Sequence, residues 1–417
     1  NIDAGVTFSE SCVVQGNPDY AYVPDNNFEQ ALIELGYDDV MDDFVLTANI
    51  SGVTSLNVVE NEISDLTGIE AFIALTDLSC YNNQLTSVDV SNNTLLDYLH
   101  LGTNELTILD VSNNTLLTTL YVGNNSLDGL DVSNNTLLTT LYVGNNSLDS
   151  LDVTNNTALI DLGCWNNSLT SLNVSANTVL NNINCAGNQL TSLDVSNNTS
   201  LTELWCHNNA LLVLDVSDNV ALTALTCDNN SLSSLDVSNN TVLTTLFCEN
   251  NQLTYLNMRN GVTESLETFN ATNNPLICIE TLDPDYATTN WTSSNDNIDE
   301  GVTFSISCGY EGCSDPYADN YNSIVSVDDG TCSYDSDFEA NYTFLGTFEN
   351  SSYYKSNSNG LNWEEASAHA FNNGGHLATI TSQEENDAVS SWITEVSIFG
   401  LFQNLNSSEY SEPDGGW

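Results

Sequence analysis

From Leu85 to Gln252 the chain repeats itself every 21 residues, eight times without a gap. One unit runs Leu127-Asp-Gly-Leu130-Asp-Val132-Ser-Asn-Asn135-Thr-Leu-Leu138-Thr-Thr-Leu141-Tyr-Val143-Gly-Asn-Asn146-Ser. Its residues follow the spacing L-x-x-L-x-V-x-x-N twice, at Leu127, Leu130, Val132 and Asn135, then at Leu138, Leu141, Val143 and Asn146. A fixed period of this length predicts a solenoid, because one unit cannot bury its own apolar face and only stacking closes a core. A Leu and a Val flanking one residue place both side chains on one face of a short strand. The Asn three positions beyond the Val suits a tight turn, and its amide can bond backbone groups of the neighbouring coil. Stacking at the interstrand spacing of ~4.8 Å then gives a ladder of parallel β coils.

Charge narrows what such a ladder can bind. Fifty-seven acidic side chains face only two basic ones, Arg259 and Lys355, for a net charge of −55. Nucleic acid is excluded as a natural partner, since there are no cations to displace counterions from phosphates. Anionic membrane surfaces are disfavoured for the same reason, and no apolar run reaches the roughly 18 residues that span a bilayer. Hydrophobic residues still make up 41% of the chain, enough to build a core. Self-repulsion at this charge predicts a cation-rich medium. The chain begins at Asn1 rather than Met, which reads as a processed or excised product.

The nested half-motifs resemble the short, 21-residue form of the leucine-rich repeat. Upstream, Leu56, Val58, Asn61, Ile63, Leu66, Ile69, Leu75, Leu78 and Cys80 spell a 22-residue coil similar to the repeats of bacterial internalins. Before it, Asp25-Asn-Asn-Phe28-Glu-Gln-Ala-Leu32-Ile33-Glu-Leu35-Gly36 predicts a short amphipathic helix. Asp25 or Asn26 would cap it and Gly36 would stop it, as expected of a lid on an open solenoid end. Tyr22 to Asn83 as a whole resembles the caps of secreted Bacteroidota leucine-rich proteins.

The eleven cysteines fall into two populations. Cys164, Cys185, Cys206, Cys227 and Cys248 lie 21 apart, and Cys80 shares their phase, which other coils fill with Leu101, Val122 and Val143. These six read as inward-facing core, where Cys acts as a small hydrophobe, and a ladder of single thiols does not converge on a metal. Cys278 and Cys308 would form a disulfide closing the C-terminal cap, implying an oxidising, extracellular compartment. Cys313 and Cys332 bound a small loop and should pair. Cys12 is then left over. Asn1–Cys12 matches Asn297–Cys308 at ten of twelve positions, so residues 1–12 read as the tail of a preceding module in a longer, tandemly duplicated protein.

Gly312 to Tyr334 resembles a short cysteine-bounded module of secreted Bacteroidota proteins. Its Asp315, Asp319, Asp328 and Asp329 are candidate calcium ligands, or else solvated turn residues around a disulfide. Beyond it, Gly360-Leu-Asn-Trp363-Glu-Glu-Ala366, Gly374-Gly-His376-Leu-Ala-Thr-Ile380 and Ser382-Gln-Glu-Glu-Asn386 resemble the first half of a C-type lectin-like domain. The resemblance implies helices at Trp363–Asn373 and Gln383–Ile393 around a strand at His376–Ile380. Phe371 stands where that family's helix cysteine sits. Glu412-Pro413-Asp414 is similar to the family's sugar motif but fits better as the approach to a core Trp strand. The expected organisation is therefore residues 1–12, a module tail; 20–84, cap and first coils; 85–252, eight repeats; 253–308, last coil and closed cap; 309–335, acidic linker; and 336–417, a truncated α+β lectin-like domain.

Two outward rows are candidate surfaces. Alternation places Ser79, His100, Tyr121, Tyr142, Gly163, Asn184, Trp205, Thr226 and Phe247 in one column, with Tyr81, Trp165, His207, Asp228 and Glu249 two positions on. Exposed aromatics stack on sugars and anchor protein interfaces, although cross-strand rings also stabilise a sheet. His100, Tyr121, Tyr142, Trp165, Trp205, His207 and Phe247 are the candidate ligand contacts, with Gly163, Asn184 and Thr226 reading as breaks. The other half-motif gives Asp89, Asp110, Asp131, Asp152, Asn173, Asp194, Asp215 and Asp236, either capping their own turns or bridged by calcium. The four histidines are scattered, and no nucleophile elbow or phosphate loop is present. The sequence thus predicts a non-catalytic, extracellular or cell-surface recognition protein binding glycan or protein. The alternatives are a structural spacer and accessory binding modules of a secreted hydrolase.

Overall fold

The computed structural model describes residues 19–309 continuously, then 311–313, 327–328, 331, 333 and the strands at 342–348, 351–356, 376–377 and 401–404. It divides into two units, Asn1–Ile306 and Ser307–Trp417. The first is a parallel β-solenoid of about 12 coils. Three-residue strands, from Ser55–Asn57 through Thr140–Tyr142 to Thr268–Asn270, pair side by side in an 11-stranded parallel sheet. The register steps by one repeat, so that Leu120 pairs with Leu141 and Tyr121 with Tyr142.

That register stacks like on like. The central strand residues Leu99, Leu120, Leu141, Leu162, Ile183, Leu204, Leu225 and Leu246 are buried in one column. Each full burial of such a side chain is worth about 1.5–3 kcal/mol, which a lone coil could not realise. The first half-motif of most coils runs as irregular backbone. It forms strand only near the C-terminal end, where Ser234–Asp236, Tyr255–Met258, Cys278–Thr281 and Thr303–Ser305 make a second parallel sheet.

The Asn residues divide the turn's work. Left-handed backbone falls on the first Asn of each pair, as at Asn124 and Asn145 (both φ 55°). The residue three beyond the Val, Asn125 or Asn146, points inward instead and donates to carbonyls of its own and the preceding coil. The sequence placed turn and ladder on one residue; the structure separates them by one position.

Both ends are closed as the patterning predicts. The helix Asn26–Glu34 is capped by Asp25, whose Oδ1 accepts from the Asn27 and Phe28 amides while Oδ2 accepts from Ser64 and the Asp65 amide. One carboxylate thereby ties the helix to the first coil. Gly36 follows at φ 79°. At the other end, Trp291 follows the helix Pro284–Asn290 and packs on Phe269 (4.6 Å between ring centres) and Phe304 (5.8 Å). Cys278 and Cys308 form the expected disulfide. Arg259 Nε sits 3.3 Å from the buried Glu280 carboxylate, so one of the chain's two basic side chains neutralises an acid within this cap.

In the second unit, Glu311–Gly312 pairs with Val327–Asp328, and Tyr342–Phe348, Ser351–Ser356, Leu401–Asn404 and His376–Leu377 form a four-stranded antiparallel sheet. Cys313 is disulfide-bonded; Cys332, its expected partner, lies outside the described residues. Outside them too fall the module tail at 1–12, the side chains of Asp315, Asp319, Asp328 and Asp329, both lectin-like helices, and Glu412 to Asp414.

Candidate functional site

The strand triplet decides which rings reach the outer face. In Thr140-Leu141-Tyr142 the middle residue is buried and its neighbours stand outward, half-buried against adjacent coils. Repetition builds a stripe. Ring centres lie 5.0 Å apart from Tyr81 to His100, 5.1 Å from His100 to Tyr121, 5.2 Å from Tyr121 to Tyr142 and 5.9 Å from Tyr142 to Trp165. Tyr98 joins from the first outward column, 5.9 Å from Tyr121 and edge-on. Tyr98 was not among the sequence candidates, although the same alternation exposes the residue before each buried Leu.

Gly163 is no break in this stripe. A Cβ on Gly163 would lie 2.4 Å from the Trp165 ring, and one on Gly144 would lie 2.3 Å from it. The indole therefore rests across two glycines of neighbouring coils and fills the place an aromatic at 163 would take. The two columns are complementary in size: His100, Tyr121 and Tyr142 are followed two residues on by Gly102, Gly123 and Gly144, whereas Gly163 is followed by Trp165. Beyond it the face changes. Trp205 stands 37% exposed, His207 Nδ1 and Thr226 Oγ1 share a hydrogen bond of 3.1 Å, and Phe247 is half-buried. Asn184 and Thr226 leave these rings separate from the stripe.

The stripe sits in a field of carboxylates. Burial raises the pKa of Tyr142, and Asp161, Tyr121 and Glu203 raise it further; burial, Tyr121 and Asp77 do the same at Tyr98. Burial lowers that of His100, favouring the neutral imidazole. The surface is thus uncharged aromatic flanked by negative charge, with no lysine or arginine along it.

The acid row is occupied with its own turns. Asp89, Asp110, Asp131, Asp152, Asp194, Asp215 and Asp236 each accept the amide of the residue two further on, at 2.8–3.0 Å. Hydrogen bonds from the following Ser or Thr side chain and amide lower the pKa of Asp110, Asp131 and Asp152. A groove of about 390 Å³ lined by Leu214, Asp215, Ser217, Asp236 and Ser238 lies on this row rather than on the stripe. Among the described residues no three His, Cys, Asp or Glu side chains form a group able to hold a metal ion. The six ladder cysteines are unbridged and buried, and burial pushes the Cys185 thiol up to about 12. Thiols so far from ionising are core, not nucleophiles.

The comparisons agree with this architecture. The functional domain of InlJ from Listeria monocytogenes, described as including a cysteine ladder, is 36% identical over 63% of this chain and 58% of that one, with a TM-score of 0.58. An internalin of the same organism, inlF, superimposes with a TM-score of 0.51 at 21% identity, covering 67% of this chain and 95% of that one. A family model described as the LVIVD repeat matches residues 97–119, about one coil. No curated protein matches. The fold is that of the internalin-like leucine-rich-repeat solenoids, and this chain spans 58% of the first of those structures. Such solenoids are in general scaffolds for recognition.

Proposed function

We propose that the protein is a non-catalytic, extracellular recognition module whose ligand face is the stripe Tyr81, Tyr98, His100, Tyr121, Tyr142 and Trp165, extended by Trp205, His207 and Phe247. The observation that carries this reading is Trp165 lying across Gly144 and Gly163, which makes an unbroken run of rings on an otherwise polar sheet. Rings in such a run offer rigid, amphipathic area at little conformational cost. The ligand is a glycan or a cell-surface protein. The disulfide-closed cap is consistent with an oxidising exterior, and among the described residues no helix is long and apolar enough to cross a membrane. The linker at 309–335 and the lectin-like domain at 336–417 would add a second, tethered binding element.

The spacer reading has one observation in its favour: edge-on ring pairs such as Tyr121–Tyr142 also bind neighbouring strands together. Screening the full chain on glycan and cell-surface-protein arrays, beside Trp165→Ala and Trp205→Ala variants, separates the two. Recognition predicts a specific hit that Trp165→Ala abolishes and Trp205→Ala weakens. Hits that both variants retain, or silence on every array, would favour the spacer.

A further inference from the structure

One coil breaks the surface pattern that the other repeats keep. In Leu211-Leu-Val-Leu214-Asp-Val216 the core is served by Leu211, Leu214 and Val216, all buried. Leu212 and Val213 stand outward between them, 60% and 66% exposed, and Val220 beyond the turn is 54% exposed. The other repeats carry Thr, Asp or Ser where Leu212 stands and Thr where Val220 stands; where Val213 stands they carry Ser or Gly, apart from Ile108. The fold therefore does not require these apolar side chains, and their exposure leaves apolar area in water without filling a core. Val213 also lines two grooves. It shares one of about 390 Å³ with Asp215 and Asp236, and another of about 280 Å³ with Asp194, Asp215 and Asp218. Asp218 is again peculiar to this coil, since the other repeats carry Asn or Ala there. Hydrogen bonds from the side chains and amides of Ser196 and Ser217 lower the pKa of Asp194 and Asp215, so both are anionic at neutral pH.

We propose that this coil docks a basic, partly apolar polypeptide segment of another protein. Leu212 and Val213 meet its apolar side chains, and Asp194, Asp215, Asp218 and Asp236 meet its Lys or Arg side chains. Charge complementarity selects this occupant. A second copy of this chain would bring acids to an acidic face, because the chain holds two basic side chains against a net charge of −55 and Arg259 already pairs with Glu280. An anionic membrane is repelled in the same way. A Lys or Arg lays its aliphatic stem along apolar surface while its head reaches a carboxylate, so an apolar pair set between acids suits that one chemistry. The surface lies on the acid row rather than on the aromatic stripe, and it stands whether or not the stripe binds a ligand.

The test uses the full chain and three short labelled peptides of alternating sequence, Lys–Leu, Lys–Ser and Glu–Leu. Anisotropy titrations at physiological salt compare wild type with Leu212→Thr/Val213→Ser, Asp215→Asn/Asp218→Asn, the acid-row control Asp110→Asn/Asp131→Asn and the stripe control Trp165→Ala. Thr, Ser and Asn are what sibling coils carry at these places or are close in size, so the variants should melt as wild type does. The site predicts that wild type binds the Lys–Leu peptide tightest and that each of the first two variants weakens it by about tenfold or more. Both controls should leave that affinity unchanged. The Lys–Ser peptide reads bare attraction to a polyanion and should bind every protein weakly and alike. A Lys–Leu peptide bound no tighter than Lys–Ser, or bound equally by Leu212→Thr/Val213→Ser, would overturn the proposal. So would tighter binding of Glu–Leu, or a wild-type dimer in sedimentation that Leu212→Thr/Val213→Ser abolishes, the mark of a second copy on this coil.

Discussion

Asn125 and Asn135 sit one half-motif apart, both three residues beyond a Val, yet their surroundings treat them differently. Asn125 donates to the Leu101 and Val122 carbonyls, and its Oδ1 accepts the Leu106 amide at 3.0 Å. Asn135 donates to the Val111 and Asn114 carbonyls, and its Oδ1 has no partner although the residue is fully buried. The same holds at Asn93, Asn114, Asn156, Asn177, Asn198, Asn219 and Asn240. The first ladder uses the whole amide as a two-way link between coils, whereas the second uses only its donors. A repeat can thus keep one residue type at two positions for different reasons, and replacing Asn by Asp tells them apart.

The largest expected effect is Asn135→Asp. It removes two donors and leaves a carboxylate with no donor facing it, a loss of about 3–5 kcal/mol or failure to fold by urea titration. Asn125→Asp keeps the Leu106 bond and sits where water reaches, so it should cost about 1–2 kcal/mol. Equal costs would erase the contrast between the ladders. Asp25 extends the same logic to a carboxylate whose oxygens are all supplied. Burial opposes its charge, but hydrogen bonds from Ser64, Phe28 and Asp65 outweigh that and lower its pKa below the ordinary 3.8. Asp25→Ala should cost about 2 kcal/mol. Because the folded pKa is the depressed one, the contribution is present above the ordinary carboxylate value and is lost as pH falls through the lower folded one. Wild type and variant should therefore converge in acid melts, and a gap that persists or widens there would argue against the carboxylate.

The smallest effect concerns the turn. Asn82, Asn124 and Asn145 carry the left-handed backbone in their coils, but the same place in one coil holds Thr103 at φ 55°. A β-branched residue is strained there, so Thr103→Asn should stabilise by about 0.5–1 kcal/mol in the same urea experiment. Destabilisation would mean that the Thr hydroxyl contributes something the backbone argument omits.

Much of this was legible because a 21-residue period repeats each constraint eight times. The buried Leu column and the cysteine phase follow from intra-coil spacing, which also offered turn capping as one of two readings of the Asp row, while the cap helix at Asp25 or Asn26 was legible from its own local pattern. What escaped was set between coils. Gly163 reads as a gap in its own unit and becomes a seat only when Trp165 and Gly144 are placed beside it. The orphaned Asn135 oxygen is likewise invisible in a spacing that matches Asn125. The burial of Glu29 is set in the same way by a distant segment, since its carboxylate accepts the Asp42 amide from the loop that follows the helix.

The aromatic stripe, on the function proposed above, recognises a ligand rather than only joining strands. Affinity and melting temperature measured together on Tyr121→Ser/Tyr142→Ser, against the strongest array hit of the wild type, separate the two roles. Recognition predicts binding weakened by about 100-fold or more, equivalent to about 3 kcal/mol, in a protein that still melts cooperatively within a few degrees of wild type. Unchanged affinity beside a large fall in melting temperature would contradict it and leave the rings as braces of the sheet.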